Sequence, residues 1–261
     1  MPPVLEVKNL VKTFTLKRGL FKRKKLFAVN DVSFSVNEGE FFSIVGESGS
    51  GKTTIARLIL RLLRPDRGEI LFKGKDIFTM KREELKQYRK RVQIVFQNPF
   101  TSFNPLMKVK NIIMEPLEIH SIGTRKEREE KVKQAMELVN LPLSFLDRFP
   151  DQLSGGQRQR IGIARSIVVN PDIIVADEPV SSLDVSIQAQ IVNLFLRLHK
   201  DLGITFIFIA HDINLVRHLS DRVVVMYKGR VVDYGETGKV FENPESEFTM
   251  KLIKSLPPIE F

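Results

Sequence analysis

Residues 41–53 read FFSIVGESGSGKT, and this stretch decides the fold. A short apolar run is followed by the complete pattern G-x-x-x-x-G-K-[ST] from Gly46 to Thr53, and then by apolar residues at helical spacing until Pro65. A strand, a glycine-rich loop and an amphipathic helix in this order predict a loop whose backbone N–H groups surround nucleotide phosphates. The residues that indicate the helix are Ile55, Leu58, Ile59, Leu62 and Leu63.

Side chains of two types in this loop suit phosphate chemistry. We expect Lys52 to reach the β- and γ-phosphates and the Thr53 hydroxyl to bind Mg²⁺. The sequence therefore predicts a nucleotide-binding site that also holds Mg²⁺. The predicted nucleotide-binding residues of the loop are Gly46, Glu47, Ser48, Gly49, Ser50, Gly51, Lys52, Thr53 and Thr54.

Two further apolar runs end in ionisable side chains. IIVADE ends in Asp177 and Glu178, and ITFIFIAH ends in His211. Such runs are typical of central parallel strands covered on both faces by helices, whose carboxyl ends face the ligand crevice. We expect Asp177 to hold Mg²⁺, directly or through water, and Glu178 to orient and deprotonate an attacking water. We expect His211 to contact the γ-phosphate. The alternative for Asp177 and Glu178 is a solvated acidic pair, and the alternative for His211 is a structural hydrogen bond.

The segment 151–166, DQLSGGQRQRIGIARS, predicts a helix that begins with a serine and two glycines. Ser154 is a good N-cap, because its hydroxyl can accept a hydrogen bond from a free N–H group of the first turn. Gly155 and Gly156 are poor helix formers, but they permit close approach to the positively polarised helix end. An anion, such as a phosphate, is the expected ligand there. Because a phosphate-binding loop already exists upstream, this second predicted anion site, at a helix end, needs a separate function.

Composition limits the class of protein. The chain has 261 residues, no cysteine and a net charge of +10 from 41 Lys and Arg against 31 Asp and Glu. Disulfides, thiol catalysis and cysteine-held metals are therefore excluded. Its apolar runs are too short to span a bilayer and its start lacks a signal-peptide pattern, so we expect a cytoplasmic location. The basic run 17–25, KRGLFKRKK, is predicted as a solvated loop between two strands; anionic lipid headgroups or nucleic acid are alternative contacts.

The order of patterns along the chain indicates its organisation. Val32, Phe34 and Val36 alternate with polar residues as in a half-buried strand. Residues 80–150 look helical, with a capping box at Thr124 and Glu127. VVVMYKGRVVDYG, from Val223, predicts a terminal hairpin. The apolar face predicted for the helix after the capping box consists of Val132, Ala135, Met136 and Val139.

With LSGGQ at 153–157, these motifs resemble those of the ATP-binding cassette (ABC) ATPases over nearly the whole chain. The resemblance implies an α/β fold: a P-loop NTPase core with a parallel central sheet, an N-terminal antiparallel β subdomain and an inserted helical subdomain. It implies one domain, with 1–79 and 154–261 forming the core with its β subdomain and 80–153 the helical subdomain. It also answers the question raised by the second phosphate site, because two such subunits pack head to tail. The residues implied to act on the partner's ATP are Leu153, Ser154, Gly155, Gly156 and Gln157.

The resemblance gives roles to further residues. Phe14 would stack on adenine where many relatives have tyrosine; the alternative is a core phenylalanine at a strand end. Gln97 follows an apolar strand and by itself looks like an ordinary polar strand end. The resemblance makes it a catalytic residue and Mg²⁺ ligand that joins the γ-phosphate site to membrane subunits. Ser182, Leu183 and Asp184, in SSLD, would communicate across the dimer, with a plain turn as the alternative.

QNPFTSFNP at 97–105, followed by IIMEPL, resembles the peptide and nickel importer branch of this family. The motif differs mildly from the usual sequence of the branch at Asn98 and Phe103. The C-terminal segment also lacks the histidine and tyrosine that are usual in the branch. The resemblance implies an ATPase at the cytoplasmic face of the membrane that drives uptake of peptides, nickel or oligosaccharides. The implied partners are a second ABC ATPase, identical or homologous, two transmembrane permease subunits and, indirectly, an extracytoplasmic solute-binding protein.

Two other functions compete with transport. An ABC ATPase of DNA repair or chromosome structure shares the signature motif, but inserts a long coiled coil, whereas 55 residues separate Gln97 from Leu153. A ribosome-acting cassette protein usually carries two cassettes, and this chain has one copy of each motif. No nucleic-acid partner is therefore expected.

Overall fold

The computed structural model describes residues 3–18, 22–97 and 103–254, and the chain divides into two compact units. The first unit combines the residues up to Lys81 with those from Ile207 onward, and the second runs from Arg82 to Phe206. The proposed boundaries of the helical subdomain, 80–153, stay a prediction.

The first unit contains an antiparallel sheet with the strand order β2-β1-β4-β5. Leu5 at the start of β1 pairs with Val36 of β2 on one side and with Phe72 of β4 on the other. Val32, Phe34 and Val36 are buried, as their alternation predicts. The strands are β1 (Leu5–Arg18), β2 (Lys22–Val36), β4 (Arg67–Phe72) and β5 (Lys75–Asp76).

The basic run 17–25 does not form the predicted loop. Strand β1 continues to Arg18 and β2 begins at Lys22, so Lys17 pairs with Arg23; residues 19–21 lie outside the described residues. Backbone pairing can continue through charged residues, because ladder hydrogen bonds do not require side-chain burial. The prediction took charge as a loop signal and was wrong for most of the run.

The first unit also contains the strands that surround the phosphate loop. Strand β3 (Phe41–Val45) is entirely buried and pairs in parallel with β9 (Arg222–Tyr227). Strand β10 (Arg230–Glu236) pairs antiparallel with β9, which confirms the terminal hairpin. On the other side of β3 lies β8 (Thr205–Ala210), so the order is β10-β9-β3-β8.

Helix α1 (Lys52–Ile59) is shorter than predicted. Arg61 is left-handed with φ 53°, and the N–H groups of Arg61 and Leu62 donate to the carbonyls of Leu58 and Arg57. This pair of bonds is the Schellman arrangement, with arginine in the position usually taken by glycine. Leu62 is consequently 60% exposed instead of buried with the helix. The apolar residues continue at helical spacing beyond Arg61, so the sequence pattern did not reveal where the helix ends.

Three short helices complete the first unit. They are α7 (Ile213–Leu219), α8 (Thr237–Glu242) and α9 (Glu247–Lys254). The buried Asp233 carboxylate accepts hydrogen bonds from the N–H groups of Glu245 and Ser246 and from the Thr249 hydroxyl. Tyr227 and Phe248 stack with ring centroids 4.2 Å apart. These contacts hold α9 against the terminal hairpin.

The second unit is mostly helical and contains a pair of parallel strands. Thr124 and Glu127 form the predicted capping box, and the apolar face of the helix that follows is buried as predicted. Among the described residues, no helix has both the length and the apolar character needed to cross a bilayer. The helices are α2 (Arg82–Arg91), α3 (Val109–Ile119), α4 (Arg125–Leu138), α5 (Gly155–Ile167) and α6 (Val185–Leu202), with short 3-10 helices at Leu143–Asp147 and Pro150–Gln152.

Strands β6 (Val92–Val95) and β7 (Ile173–Asp177) pair in parallel. Their carboxyl ends therefore lie at the same edge, which carries Gln97 and Glu178. Parallel and antiparallel pairing together confirm the predicted α/β fold class with its N-terminal antiparallel sheet.

Candidate nucleotide-binding site

The phosphate loop follows the buried strand β3 and leads into α1. A side chain at Gly46 would place its Cβ 2.2 Å from the Met226 carbonyl oxygen, and one at Gly51 would lie 2.1 Å from that of Ala28. Both residues also have positive φ, of 150° and 111°. Only glycine therefore fits these two positions. The first turn of α1 has no side-chain cap, which leaves its N–H groups for an anion.

Lys52 lies within this loop and is only 4% exposed. Its Nζ donates hydrogen bonds to the carbonyl oxygens of Gly46, at 2.6 Å, and Glu47, at 2.9 Å. The side chains of Glu47 and Ser48 are exposed, so the loop is open to solvent on its outer face. A buried ammonium group behind an open glycine-rich loop suits a phosphate chain.

Phe14 lies on β1 and is 37% exposed, at the surface of the first unit. The Nζ of Lys12 is 5.9 Å from the centre of its ring. The cross-strand partner of Phe14, Leu26, and the neighbouring Phe27 are also exposed. The three apolar side chains thus offer a surface on which a flat ligand could stack, and Phe14 does not occupy the core.

Asp66 holds the strand next to Phe14. Its carboxylate accepts hydrogen bonds from the Thr13 N–H at 2.6 Å, the Thr13 hydroxyl at 2.7 Å and the Lys12 Nζ at 3.0 Å. The Thr13 hydroxyl, with help from Lys12 and the Thr13 N–H, lowers the pKa of Asp66 to about 2. The sequence did not indicate this residue, because Asp66 is 53 positions from Thr13.

His211 is exposed at the carboxyl end of β8, directly before α7. Asp212, which follows it, caps α7 by accepting a hydrogen bond from the Leu215 N–H. The structure therefore places His211 at an exposed strand end, and its contact with the γ-phosphate stays a prediction.

In the second unit, Glu178 follows β7 with φ 47°, a left-handed conformation that is uncommon outside glycine. The Gln97 Nε2 donates to the Ser181 Oγ at 3.0 Å and to the Glu178 Oε2 at 3.5 Å. The Ser181 hydroxyl in turn donates to the Glu178 carbonyl oxygen at 3.1 Å. Gln97, Glu178 and Ser181 therefore form one network at the edge of the β6–β7 pair. Ser181 was missed by the sequence reasoning, which began its motif at Ser182.

Asp177 is half-buried at the last position of β7. Within the described ranges, no group of three or more His, Asp or Glu side chains is arranged to hold a metal ion. Mg²⁺ is commonly held by only one or two carboxylates together with waters and phosphates. The oxygen donors of Thr53, Gln97 and Asp177 are of the type that Mg²⁺ prefers, so these residues fit the ion chemically.

The LSGGQ segment begins α5. Ser154 accepts a hydrogen bond from the Gln157 N–H at 3.3 Å, and the Gln157 side chain accepts one from the Ser154 N–H at 3.0 Å. Gly156 is buried, and a Cβ there would lie 2.6 Å from the Ile187 Cγ2 on α6. The second glycine is thus required by helix packing within the chain, a reason that the sequence did not indicate. The exposed Ser154 side is open to a ligand.

The SSLD turn, residues 181–184, lies between Gln97 and the start of the LSGGQ helix. The Ser182 hydroxyl donates to the Gln97 carbonyl oxygen at 3.4 Å. Asp184 caps α6 through the Ile187 N–H at 3.0 Å. A Cβ at Gly155 would lie 3.4 Å from the Leu183 Cδ2, an ordinary van der Waals contact. The turn therefore joins the Gln97 network to the start of the LSGGQ helix.

Comparison with known proteins agrees with these motifs. The model of the ABC transporter family matches residues 29–181, more than half of the chain. The chain belongs to the ABC transporter family. The oligopeptide transport ATP-binding protein AppF of Bacillus subtilis (strain 168) is 48% identical over 257 residues, covering 97% of this chain and 78% of AppF. The dipeptide transport ATP-binding protein DppF of Haemophilus influenzae is 44% identical over 256 residues, covering 98% of this chain and 78% of DppF.

A solved structure supports the same assignment for this ABC protein. The dimeric structure of a post-hydrolysis state of an ATP-binding cassette bound to ADP and Pi matches with a TM-score of 0.78 and 31% identity. The match covers 89% of this chain and 98% of that cassette. The chain is thus an ABC ATPase, in the branch that contains the peptide transport ATP-binding proteins.

Proposed function

We propose that this ABC ATPase is the motor subunit of a peptide importer and works at the cytoplasmic face of the membrane. Its sequence similarity to oligopeptide and dipeptide transport ATP-binding proteins extends over almost the entire chain and supports peptides as the cargo class. The observation that carries the catalytic part is the Gln97–Glu178–Ser181 network in a chain with a complete phosphate loop.

The residues of the first unit would bind the nucleotide. Phe14 would stack on adenine, and the N–H groups of the loop and the start of α1 would bind the phosphates. Lys52 would exchange its bonds to two loop carbonyls for bonds to the β- and γ-phosphate oxygens. His211 would contact the γ-phosphate. Thr53, Asp177 and Gln97 would hold Mg²⁺, which supplies positive charge to the phosphates.

Glu178 would act as the general base. Its left-handed backbone is held by the Ser181 hydroxyl, and its carboxylate is within reach of the Gln97 amide. Such a carboxylate can orient a water and accept its proton as the water attacks the γ-phosphate. Gln97 would sense the reacting site, because any shift of its amide changes the bonds to Glu178 and Ser181.

A second cassette would complete the site. The exposed Ser154 and the N-terminal end of α5 would face the γ-phosphate bound by the partner's phosphate loop. Ser182, Leu183 and Asp184 would transmit changes across the dimer. The dimeric ATP-binding cassette with a TM-score of 0.78 supports this arrangement.

Two transmembrane permease subunits would form the channel, with a solute-binding protein delivering cargo outside. Nickel and oligosaccharides are the other cargoes to be tested. The transport names of the relatives favour an importer over an ATPase acting on DNA or ribosomes.

Purification of the tagged full chain from membranes tests this proposal. We expect two permease subunits to co-purify, and the reconstituted complex to hydrolyse ATP faster with a peptide-loaded solute-binding protein than with nickel or oligosaccharide. Gln97→Ala should uncouple transport from hydrolysis more than it lowers ATP affinity. Glu178→Gln serves as the hydrolysis-deficient control. Co-purification with ribosomes or nucleic acid, without membrane proteins, would contradict the proposal.

A further inference from the structure

The amino ends of β6 and β7 carry a polar cavity at the edge opposite Gln97 and Glu178. Arg91 precedes β6 and Asp172 precedes β7; the Asp172 N–H donates to the Arg91 carbonyl oxygen at 2.8 Å. The side chains of Arg91 and Asp172 also form an ion pair of 3.2 Å. The cavity beside them has a volume of about 220 Å³. It belongs entirely to the second unit.

The lining of this cavity is strongly asymmetric in charge. Lys90, Arg91 and Lys131 contribute three positive groups, and Asp172 contributes the single carboxylate, which Arg91 already binds. The remaining lining is mainly apolar and consists of Ile122, Val168, Val169 and Asn170. The cations come from two different elements, the end of α2 and the middle of α4. The residues that line the cavity therefore carry an excess of about two positive charges.

Neither lysine is held in a direct salt bridge with a residue in the described ranges, although Lys131 is attracted to Glu127, one turn earlier on α4. Both lysines are half-buried. Half-buried ammonium groups lose part of their hydration, so a site that gathers them favours an anion. His120, at the end of α3, is affected by the same positive charges. Burial and the positive charges of Lys86 and Lys90 hold the pKa of His120 below its usual value.

We infer that this cavity is a second anion site, which binds a small phosphate-bearing ligand through Lys90, Lys131 and Arg91. A dianion matches the excess charge, and lysine binds phosphate as a point charge from several directions. The volume is below the roughly 300–1,000 Å³ of pockets for drug-sized ligands, so it admits a group of pyrophosphate size rather than a nucleotide. The ligand could be a free phosphate compound or a lipid phosphate headgroup, which offer the same chemistry.

The imidazole of His120 provides a local readout that the phosphate loop does not disturb. The four histidine side chains of the full chain are isotopically labelled, and the variant His120→Gln identifies which imidazole signal belongs to His120. The phosphate loop is kept saturated with ADP, and inorganic pyrophosphate is then titrated. An anion beside Lys90 should raise the pKa of His120, by roughly 0.5 unit or more, because a negative charge favours the imidazolium.

Matched variants locate the site. Lys90→Ala combined with Lys131→Ala should weaken pyrophosphate binding at least tenfold and abolish the ligand-induced shift of His120. Lys133→Ala is the control on the same helix; its side chain pairs with Glu130 at 2.7 Å and does not line this cavity. Retained basal ATPase activity shows that the double variant is folded.

A second arm separates the two sources of phosphate. Vesicles containing phosphatidic acid are sedimented with the wild type and with both variants. Loss of vesicle binding in the double variant, with little response to pyrophosphate, identifies a lipid headgroup; the converse identifies a free phosphate compound. The inference is overturned if neither probe binds, if NaCl at the same ionic strength reproduces the shift, or if the double variant responds like Lys133→Ala.

Discussion

At the scale of single residues, Glu178 combines an unusual backbone with a proposed catalytic role. A left-handed conformation for a non-glycine residue costs about 1–3 kcal/mol, so it persists only where neighbours enforce it. Here the Ser181 N–H, at 3.3 Å, and the Ser181 hydroxyl, at 3.1 Å, both donate to the Glu178 carbonyl oxygen. These two bonds fix the backbone of Glu178 in the turn after β7.

Lys52→Ala should abolish hydrolysis and weaken ATP binding, because it removes a charge-assisted contact to the phosphates. Nucleotide affinity by calorimetry and phosphate release by a coupled assay measure both effects. The thermal midpoint is the control for folding, since the Lys52 amine also bonds two loop carbonyls. Turnover at the wild-type rate would refute the assignment.

Phe14→Ala should weaken ATP binding by about 1–3 kcal/mol if the exposed ring stacks on adenine. Phe14→Tyr keeps an aromatic face and should retain the affinity. Competition with a fluorescent ATP analogue measures all three proteins. Unchanged affinity of a folded Phe14→Ala protein would rule out the stacking role.

Gly156→Ala should lower stability by about 1–3 kcal/mol, because the new Cβ would lie 2.6 Å from the Ile187 Cγ2. Gly155→Ala is the matched control: its Cβ would lie 3.4 Å from the Leu183 Cδ2, an ordinary contact. Denaturant unfolding of the two variants compares them directly. Equal stabilities would show that the α5–α6 contact can relax.

At the scale of elements, helix ends and strand anchors set where the site residues lie. Capping boxes begin α4 and α5, and Asp184 caps α6 directly after the SSLD turn. In the first unit, Asp66 performs the corresponding task for β1, where it binds the backbone and side chain of Thr13 beside Phe14. Polar side chains therefore fix the starts of three helices and an interior position of β1 next to the proposed ligand contacts.

The anchor at Asp66 predicts a pH dependence. Its folded pKa, about 2, is below the ordinary value of 3.8, so its stabilising contribution is complete above about pH 4 and is lost as pH falls towards 2. The difference in thermal midpoint between the wild type and Asp66→Asn should therefore shrink over this interval. The effect should be modest because Asp66 is 38% exposed. A constant difference from pH 5 to pH 2 would contradict the anchor.

At the scale of the whole molecule, the proposed cycle needs two cassettes. Glu178→Gln keeps the shape of the carboxylate but cannot accept a proton, so hydrolysis should fall by at least roughly 10²–10⁴-fold. Removing a negative charge near the γ-phosphate should also favour docking of a partner's α5. We expect this variant to be a monomer of 30.0 kDa without nucleotide and a dimer with Mg·ATP, measured by size-exclusion chromatography with light scattering.

Ser154→Arg added to Glu178→Gln should prevent this dimerisation, because it places bulk where the γ-phosphate approaches. Ser154→Asn, which can still cap α5, controls for loss of the N-cap. If the natural partner is a different cassette, the assay is run with that protein. Dimerisation unaffected by Ser154→Arg, or near-normal hydrolysis by Glu178→Gln, would overturn the corresponding role.

Local signals in the sequence were enough to predict the phosphate loop, the buried strands, the capping box at Thr124 and the terminal hairpin. Each depends on residues a few positions apart, whose backbone and caps interact within one element. The same local reasoning extended α1 too far and took the basic run for a loop. A left-handed arginine and continued strand pairing decided those two cases.

Only the tertiary structure decided which distant side chains meet. The Gln97–Ser181 bond joins residues 84 positions apart, and the contact of Gly156 with Ile187 depends on how α5 packs against α6. The cavity at Lys90 and Lys131 likewise exists only because α2 and α4 converge there. The physical reason is that such contacts are set by the packing of whole elements, and packing leaves no periodicity or spacing in the chain for a sequence pattern to reveal.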